Sequence, residues 1–184
     1  MKRLGAVVVM GVAGVGKSAV GRALAEQLGW RFEDADDFHS PANRAKMAAG
    51  KPLDDDDRWP WLERLRQLLC DSMDSGQGLV LACSALKETY RQRLGQGDPR
   101  LAFVYLRGSR EVITERLRAR QGHYMPASLL DSQFATLEPP RGALSVDVDA
   151  ELSEVVAEAE AELERLDQER SATDESAPNP RRTP

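Results

Sequence analysis

The sequence predicts a three-layer α/β domain, a parallel sheet with helices on both faces, on three observations. Short apolar runs rich in valine and leucine recur along the chain. Segments with apolar residues at helical spacing separate them, the alternation that builds parallel strands joined by helical crossovers. The 184 residues are enough for one compact core and too few for two ordinary ones.

The elements follow in order. "LGAVVVM" is apolar on both faces, as a central parallel strand must be, and Lys17 to Leu28 carries apolar residues at helical spacing. "WRFED" reads as a second strand, ending in an acidic loop that contains His39. A short helix over 41–49 is capped by Ser40, begins with Pro41 and is stopped by Gly50. After "KPLDDDDRWPW" a helix runs to about Met73, followed by the strand "GLVLAC", a helix over 86–94, the strand "LAFVYL" and helices over 109–120 and 127–137. A short strand "LSVDV" precedes an acidic helix expected to end near Leu166. The single domain is therefore placed at 1–166, with 167–184, polar and proline-bearing, expected as a disordered tail. No internal repeat is visible.

Composition narrows the function. Hydrophobic residues make up 41% and charged residues 30%, a soluble globular balance. No apolar run reaches the roughly 20 residues that cross a bilayer, and the apolar N-terminal stretch leads into a glycine-rich, lysine-bearing loop, so a retained strand explains it better than a signal peptide. Two cysteines, Cys70 and Cys83, with no metal-like spacing suggest a reducing compartment, with the cytoplasm as default. A net charge of -5 gives no general attraction for nucleic acid or anionic membrane. Any anionic ligand has to be held by a local cluster of donors.

One such cluster is explicit. Gly11, Gly16, Lys17 and Ser18 in "GVAGVGKS" fit G-x-x-x-x-G-K-[ST] between a strand and a helix. The glycines let backbone N–H groups face a phosphate at the positive end of the following helix. Val12, Ala13, Gly14 and Val15 inside the loop, and Ala19 after it, complete the expected nucleotide-binding set. Lys17 is expected on the outer phosphates of a nucleotide and Ser18 on Mg²⁺. The motif alone does not separate a kinase from a hydrolase or a switch.

An acceptor side is suggested by "FEDADDFH", at the predicted end of the second strand. Asp34 and Asp36 are two apart, which puts both on one face of an extended segment. There one suits a metal-bound water and the other a substrate hydroxyl. In "DDDDR", Asp54 and Asp55 are assigned no role on charge alone, whereas Arg58, between the acidic run and "WPW", is a candidate anion ligand. Arg116 and Arg120 share one helix face and are candidates for adenine and phosphate contacts.

Together, "GVAGVGKS", "DADDFHSPANRAKMAAGKPLDDDDRWPWL", "ACSALKETYRQRL", "VYLRGS" and "RQGHYMPASLLDSQFATLEPP" resemble the gluconate kinases from about Val7 to Pro140. The resemblance implies a nucleoside-monophosphate-kinase-like fold with a small lid at about 117–128. It implies transfer of the γ-phosphoryl group of ATP to the 6-hydroxyl of D-gluconate, giving 6-phosphogluconate. It makes Asp36 the partner of the acceptor hydroxyl and Asp34 an indirect Mg²⁺ contact. His39, Arg58, Lys87 and Arg91 become candidates for the gluconate hydroxyls and carboxylate, and His123 a lid residue beside the substrate. It also implies a homodimer, although no stretch marks an interface. Two alternatives fit less well: a guanine-specific switch lacks its Asn-Lys-x-Asp motif here, and a shikimate kinase's glycine-triplet loop is replaced by "ACSALK".

Overall fold

The computed structural model describes residues 3–119 and 127–175. Its centre is β1 (Ala6–Met10), buried along its whole length. β3 (Leu79–Ala82) and β4 (Leu101–Arg107) flank it, and β2 (Arg31–Asp34) and β5 (Leu144–Asp147) lie outside them, giving the order β2-β3-β1-β4-β5. Every pairing is parallel; Val8, for example, lies opposite Leu81 on one side and Phe103 on the other.

Successive strand residues point to opposite faces, and β1 therefore builds two cores. Val7 and Val9 pack with Leu24 of α1 (Lys17–Leu28), Ile113 of α5 (Arg110–Ala119) and Leu163 of α7 (Leu152–Glu175). Ala6, Val8 and Met10 pack with Leu62, Leu65 and Leu69 of α3 (Asp55–Ser75) and Leu94 of α4 (Glu88–Leu94). The expected three-layer α/β architecture is what the chain adopts.

Two elements differ from expectation. Helix α3 starts at Asp55, ahead of "RWPW", because Asp54 and Asp57 form a reciprocal capping box. The acidic run then sits in the first turn, where the helix dipole favours it, and Pro60 falls inside the helix without ending it. At the other end of the chain, α7 does not stop near Leu166 but continues to Glu175. Asp167 is buried and its Oδ1 accepts the backbone N–H groups of Arg3 and Leu4, each at 2.9 Å. Arg170 donates to the Pro99 carbonyl at 2.7 Å and the Leu101 carbonyl at 3.2 Å. Polar residues that read as a solvated tail instead satisfy backbone groups at the entry to β1 and β4.

α2 (Pro41–Ala48) begins as expected, with the Ser40 hydroxyl accepting from the Asn43 N–H. α6 (Ala127–Thr136) returns the chain from α5 to β5. No helix among the described residues is long and apolar enough to cross a membrane.

Candidate active site

The carboxyl ends of β1, β2 and β3 converge at one edge of the sheet, where open α/β folds bind their ligands. β1 runs into the 11–16 loop, which Val12 and Val15 pin down by packing into the core. Gly11 has φ 144° and a Cβ there would lie 2.8 Å from the Leu106 carbonyl oxygen. Gly14 has φ 82° and its Cβ would meet Leu117 of α5 at 2.6 Å. Both positions therefore need glycine for backbone shape and for space. Gly16, also left-handed, caps α1 with no side-chain bond, so the first N–H groups of α1 are left to face a ligand.

Lys17 Nζ donates to the Val12 carbonyl at 3.0 Å, which folds the lysine across the loop. Ser18 Oγ donates to Asp34 Oδ2 at 2.7 Å, and Asp34 Oδ1 accepts the Asp36 N–H at 3.2 Å. This chain joins the start of α1 to the end of β2. The Ala13 N–H donates to Gln133 Oε1 of α6 at 2.6 Å. Ala19 is exposed in the first turn of α1.

Asp36 lies in a short 3-10 turn (Ala35–Phe38) that Asp34 caps, and its side chain is 88% exposed. Crowding by surrounding protein, and then the Asp34 carboxylate, push its carboxyl above the ordinary range, while Lys17 and His39 pull the other way. The exposure governs the magnitude, because solvent screens a group so open. His39 is enclosed; it stacks on Trp61 with centroids 4.4 Å apart, and its Nε2 lies 4.0 Å from Asp36 Oδ1. Burial, helped by Arg58 and Arg44, lowers its pKa against the pull of Asp36, which favours the neutral ring. Trp61 Nε1 donates to the Ala35 carbonyl at 2.8 Å, fixing the turn from beneath.

A second group of side chains comes from α3 and the 83–88 segment after β3. Lys87 Nζ donates to both oxygens of Asp55, at 2.9 and 3.0 Å. Arg58 approaches Asp55 at 3.8 Å and the Tyr90 hydroxyl at 3.4 Å, and the Tyr90 hydroxyl also donates to Asp55. The Tyr90 hydroxyl, then Lys87, hold the Asp55 carboxyl below its usual range. Asp55 and Tyr90 are the residues sequence reasoning missed. The spacing of Asp55 and Arg58, three apart on one helix, is the signal that points to Asp55, and Tyr90 follows Lys87 by three at the start of α4.

Arg91 does not join this cluster. It is fully buried, with Nη1 donating to the Ala85 and Leu86 carbonyls at 3.0 and 3.1 Å and Nη2 to Glu88 at 2.6 Å. Both of its terminal nitrogens are taken up by these protein partners. It braces the acceptor-side loop, where Ala85 is held at φ 44°, a costly backbone for a residue with a Cβ. Cys83 is buried and its thiol is pushed up to about 12, chiefly by burial, in keeping with a core residue. Arg116 points to the end of β5, donating to the Val148 carbonyl. Arg120 and His123, and with them most of the expected lid, lie outside the described residues.

No three His, Cys, Asp or Glu side chains among the described residues cluster as a metal site. Ser18 with Asp34 nevertheless suits Mg²⁺, a hard cation that keeps several waters and takes few protein oxygens.

Known proteins resemble this chain over most of its length. The shikimate kinase family matches residues 13–138. A probable gluconokinase of Mus musculus is 48% identical over 177 residues, covering 85% of this chain and 96% of its own. The thermoresistant gluconokinase of Escherichia coli is 45% identical over 154 residues, with 82% and 88% covered. The crystal structure of a gluconokinase from Sinorhizobium meliloti superposes with a TM-score of 0.83 at 46% identity, covering 95% of this chain and 99% of that one. An APS kinase of Mycobacterium tuberculosis, 18% identical with a TM-score of 0.65, shares the fold. A phosphate loop joined through Ser18 to the acidic turn, on this sheet and with these relatives, places the chain in the shikimate kinase family, among its gluconokinases.

Proposed function

We propose that this protein transfers the γ-phosphoryl group of ATP to the 6-hydroxyl of D-gluconate, giving 6-phospho-D-gluconate and ADP. The observation that carries the reading is the Ser18–Asp34–Asp36 chain, which sets a phosphate loop and an exposed carboxylate side by side. Phosphoryl transfer passes through a loose transition state, so aiming the acceptor oxygen in line matters more than fully deprotonating it. Asp36 orients the hydroxyl and takes its proton as the O6–P bond forms and the bond from γ-phosphorus to the β–γ bridging oxygen breaks. ADP leaves and the proton passes from Asp36 to solvent. Lys17 and the loop N–H groups hold the phosphates and oppose the charge spread over their oxygens. Ser18, directly, and Asp34, through water, would hold Mg²⁺, which when bound neutralises phosphate charge.

Lys87 and Arg58 supply the positive charge for the gluconate carboxylate, arginine offering a planar two-pronged donor. Asp55 and His39 are placed to meet its hydroxyls. The two cysteines are free, in keeping with a reducing cytoplasm, and a homodimer is the family expectation carried forward.

The test is a substrate panel with ATP and Mg²⁺, covering gluconate, related sugar acids and shikimate, with coupled detection of ADP. Gluconate is expected to be the best substrate, and phosphorus NMR of the product to show a primary phosphate ester. Preference for shikimate, or ADP release indifferent to gluconate, overturns the proposal.

A further inference from the structure

The block "DSQFATLEPP" carries family resemblance, yet the reaction as described uses none of it. Its side chains reach both halves of the site. Gln133 Oε1 accepts the N–H of Ala13 in the phosphate loop at 2.6 Å. Past the end of α6 the chain continues helically for one bond, the Leu137 N–H donating to the Gln133 carbonyl at 2.9 Å. Leu137 packs against both hydrophobic cores, above and below the sheet. Glu138 then meets the acceptor side twice. Its N–H donates to the Leu86 carbonyl at 2.9 Å, and its Oε2 accepts the Glu88 N–H at 2.6 Å. That second bond caps α4 from another element, since Lys87 at the N-cap position supplies no side-chain cap. The lysine side chain is engaged with Asp55 instead.

We propose that Gln133 and Glu138 are positioning residues, the two ends of one strap that holds the phosphate loop and the acceptor loop at a fixed spacing. In-line transfer depends on that spacing, because effective concentration collapses when reacting atoms are displaced by as little as an ångström. Both contacts are made to backbone groups, so the strap sets where the two loops sit without touching a reacting atom. Freeing either end releases it. Arg91 supports the same acceptor loop from within the core, through the Ala85 and Leu86 carbonyls, so the loop stays folded when the strap is cut while its distance from the phosphate loop is relaxed. The inference rests on the reading that the Lys87 loop receives the acceptor.

The test is steady-state kinetics of the wild type, Gln133→Ala, Glu138→Ala, Glu138→Gln and the Gln133→Ala/Glu138→Ala double variant. Binding of a non-hydrolysable ATP analogue by calorimetry and thermal unfolding accompany it. Each alanine variant is expected to lose about 10- to 100-fold in kcat, with analogue affinity changed by less than about threefold. Glu138→Gln keeps an oxygen for the Glu88 N–H and recovers most of the loss. The double variant is expected to be little worse than the poorer single variant, because one strap is cut twice. Losses that multiply, as independent sites give, overturn the strap, as does undiminished kcat in Gln133→Ala. So does a fall in activity that only tracks loss of folded protein, with Glu138→Gln no better than Glu138→Ala. A wild type that turns over no gluconate defeats the acceptor reading on which the strap depends, an outcome distinct from active wild type with additive variants.

Discussion

Asp36→Asn is expected to separate catalysis from folding in this protein. The side chain is 88% exposed, and the only hydrogen bond that ties the residue to Asp34 is made by its backbone N–H, which asparagine keeps. His39 lies 4.0 Å from it, and Asp34 and Lys17 also act on its carboxyl. Two unit charges at that distance interact by about 1 kcal/mol in water and about 4 kcal/mol at an effective dielectric of 20. The exposure selects the lower figure, and a neutral imidazole reduces it further. Stability should therefore stay within about 0.5 kcal/mol of wild type, as for ordinary surface changes. Turnover should not. Losing the proton acceptor and the charge that aims the hydroxyl is expected to lower kcat by roughly 10²- to 10⁴-fold, about 3 to 5 kcal/mol of barrier. Affinity for a non-hydrolysable ATP analogue should hold, since the substitution leaves the proposed nucleotide contacts of Lys17, Ser18 and the loop backbone in place. The assay is coupled ADP release over a gluconate titration, with calorimetry for the analogue and a thermal scan. Full turnover on gluconate would reduce the acidic turn to a solvated loop and move the acceptor site elsewhere.

Other perturbations test other parts of the molecule. Lys87→Ala removes a cation and leaves Asp55 to repel an anionic substrate; loss of one charge-assisted bond, about 1.5 to 3 kcal/mol, should raise KM for gluconate roughly 10- to 150-fold with KM for ATP unchanged, and equal rises in both would contradict the assignment. His39 has its pKa lowered in the folded state, so its contribution to stability is complete above the unfolded value near 6.5 and is lost as pH falls through the window below it. Thermal unfolding of the wild type should weaken across that window, and His39→Phe should flatten the step; an unchanged pH profile in the variant would show that other groups cause it. Asp167→Ala deprives the Arg3 and Leu4 N–H groups of their acceptor and should cost about 1 to 3 kcal/mol, read as a fall in Tm, while kcat remains normal. A lost kcat with an unshifted Tm would refute that structural role.

Much of this was legible because local rules and the fold agree. The β-branched run of β1, the glycines of the loop and the Ser40 cap each specify their structure from neighbouring residues alone. The misreadings share a physical cause, a side chain whose partner is distant in sequence. Arg91 stands in a polar stretch of sequence, and only the fold encloses it over the Ala85 and Leu86 carbonyls. Gln133 and Ala13 are 120 positions apart, and nothing near either marks the other. Asp167 appears to be tail because its acceptors' partners are at the opposite terminus. The start of α3 is a different case: the proline in "RWPW" suggests a break, whereas the capping box upstream had already nucleated the helix.

The central position of β1 also bears on how the chain is made. Its five residues are synthesised before either neighbouring strand, and Ala6 finds its partners only in Leu79 and Leu101. At about 5 to 20 residues per second, the roughly 70 residues up to Leu79 take on the order of 4 to 15 s to synthesise. For that interval an apolar strand waits with both edges unpaired, because a parallel neighbour cannot be supplied by a hairpin. The phosphate loop, which follows β1 directly, therefore takes its shape only after much of the downstream chain has been made, and the strand that carries it stays open to chaperones that shield apolar segments.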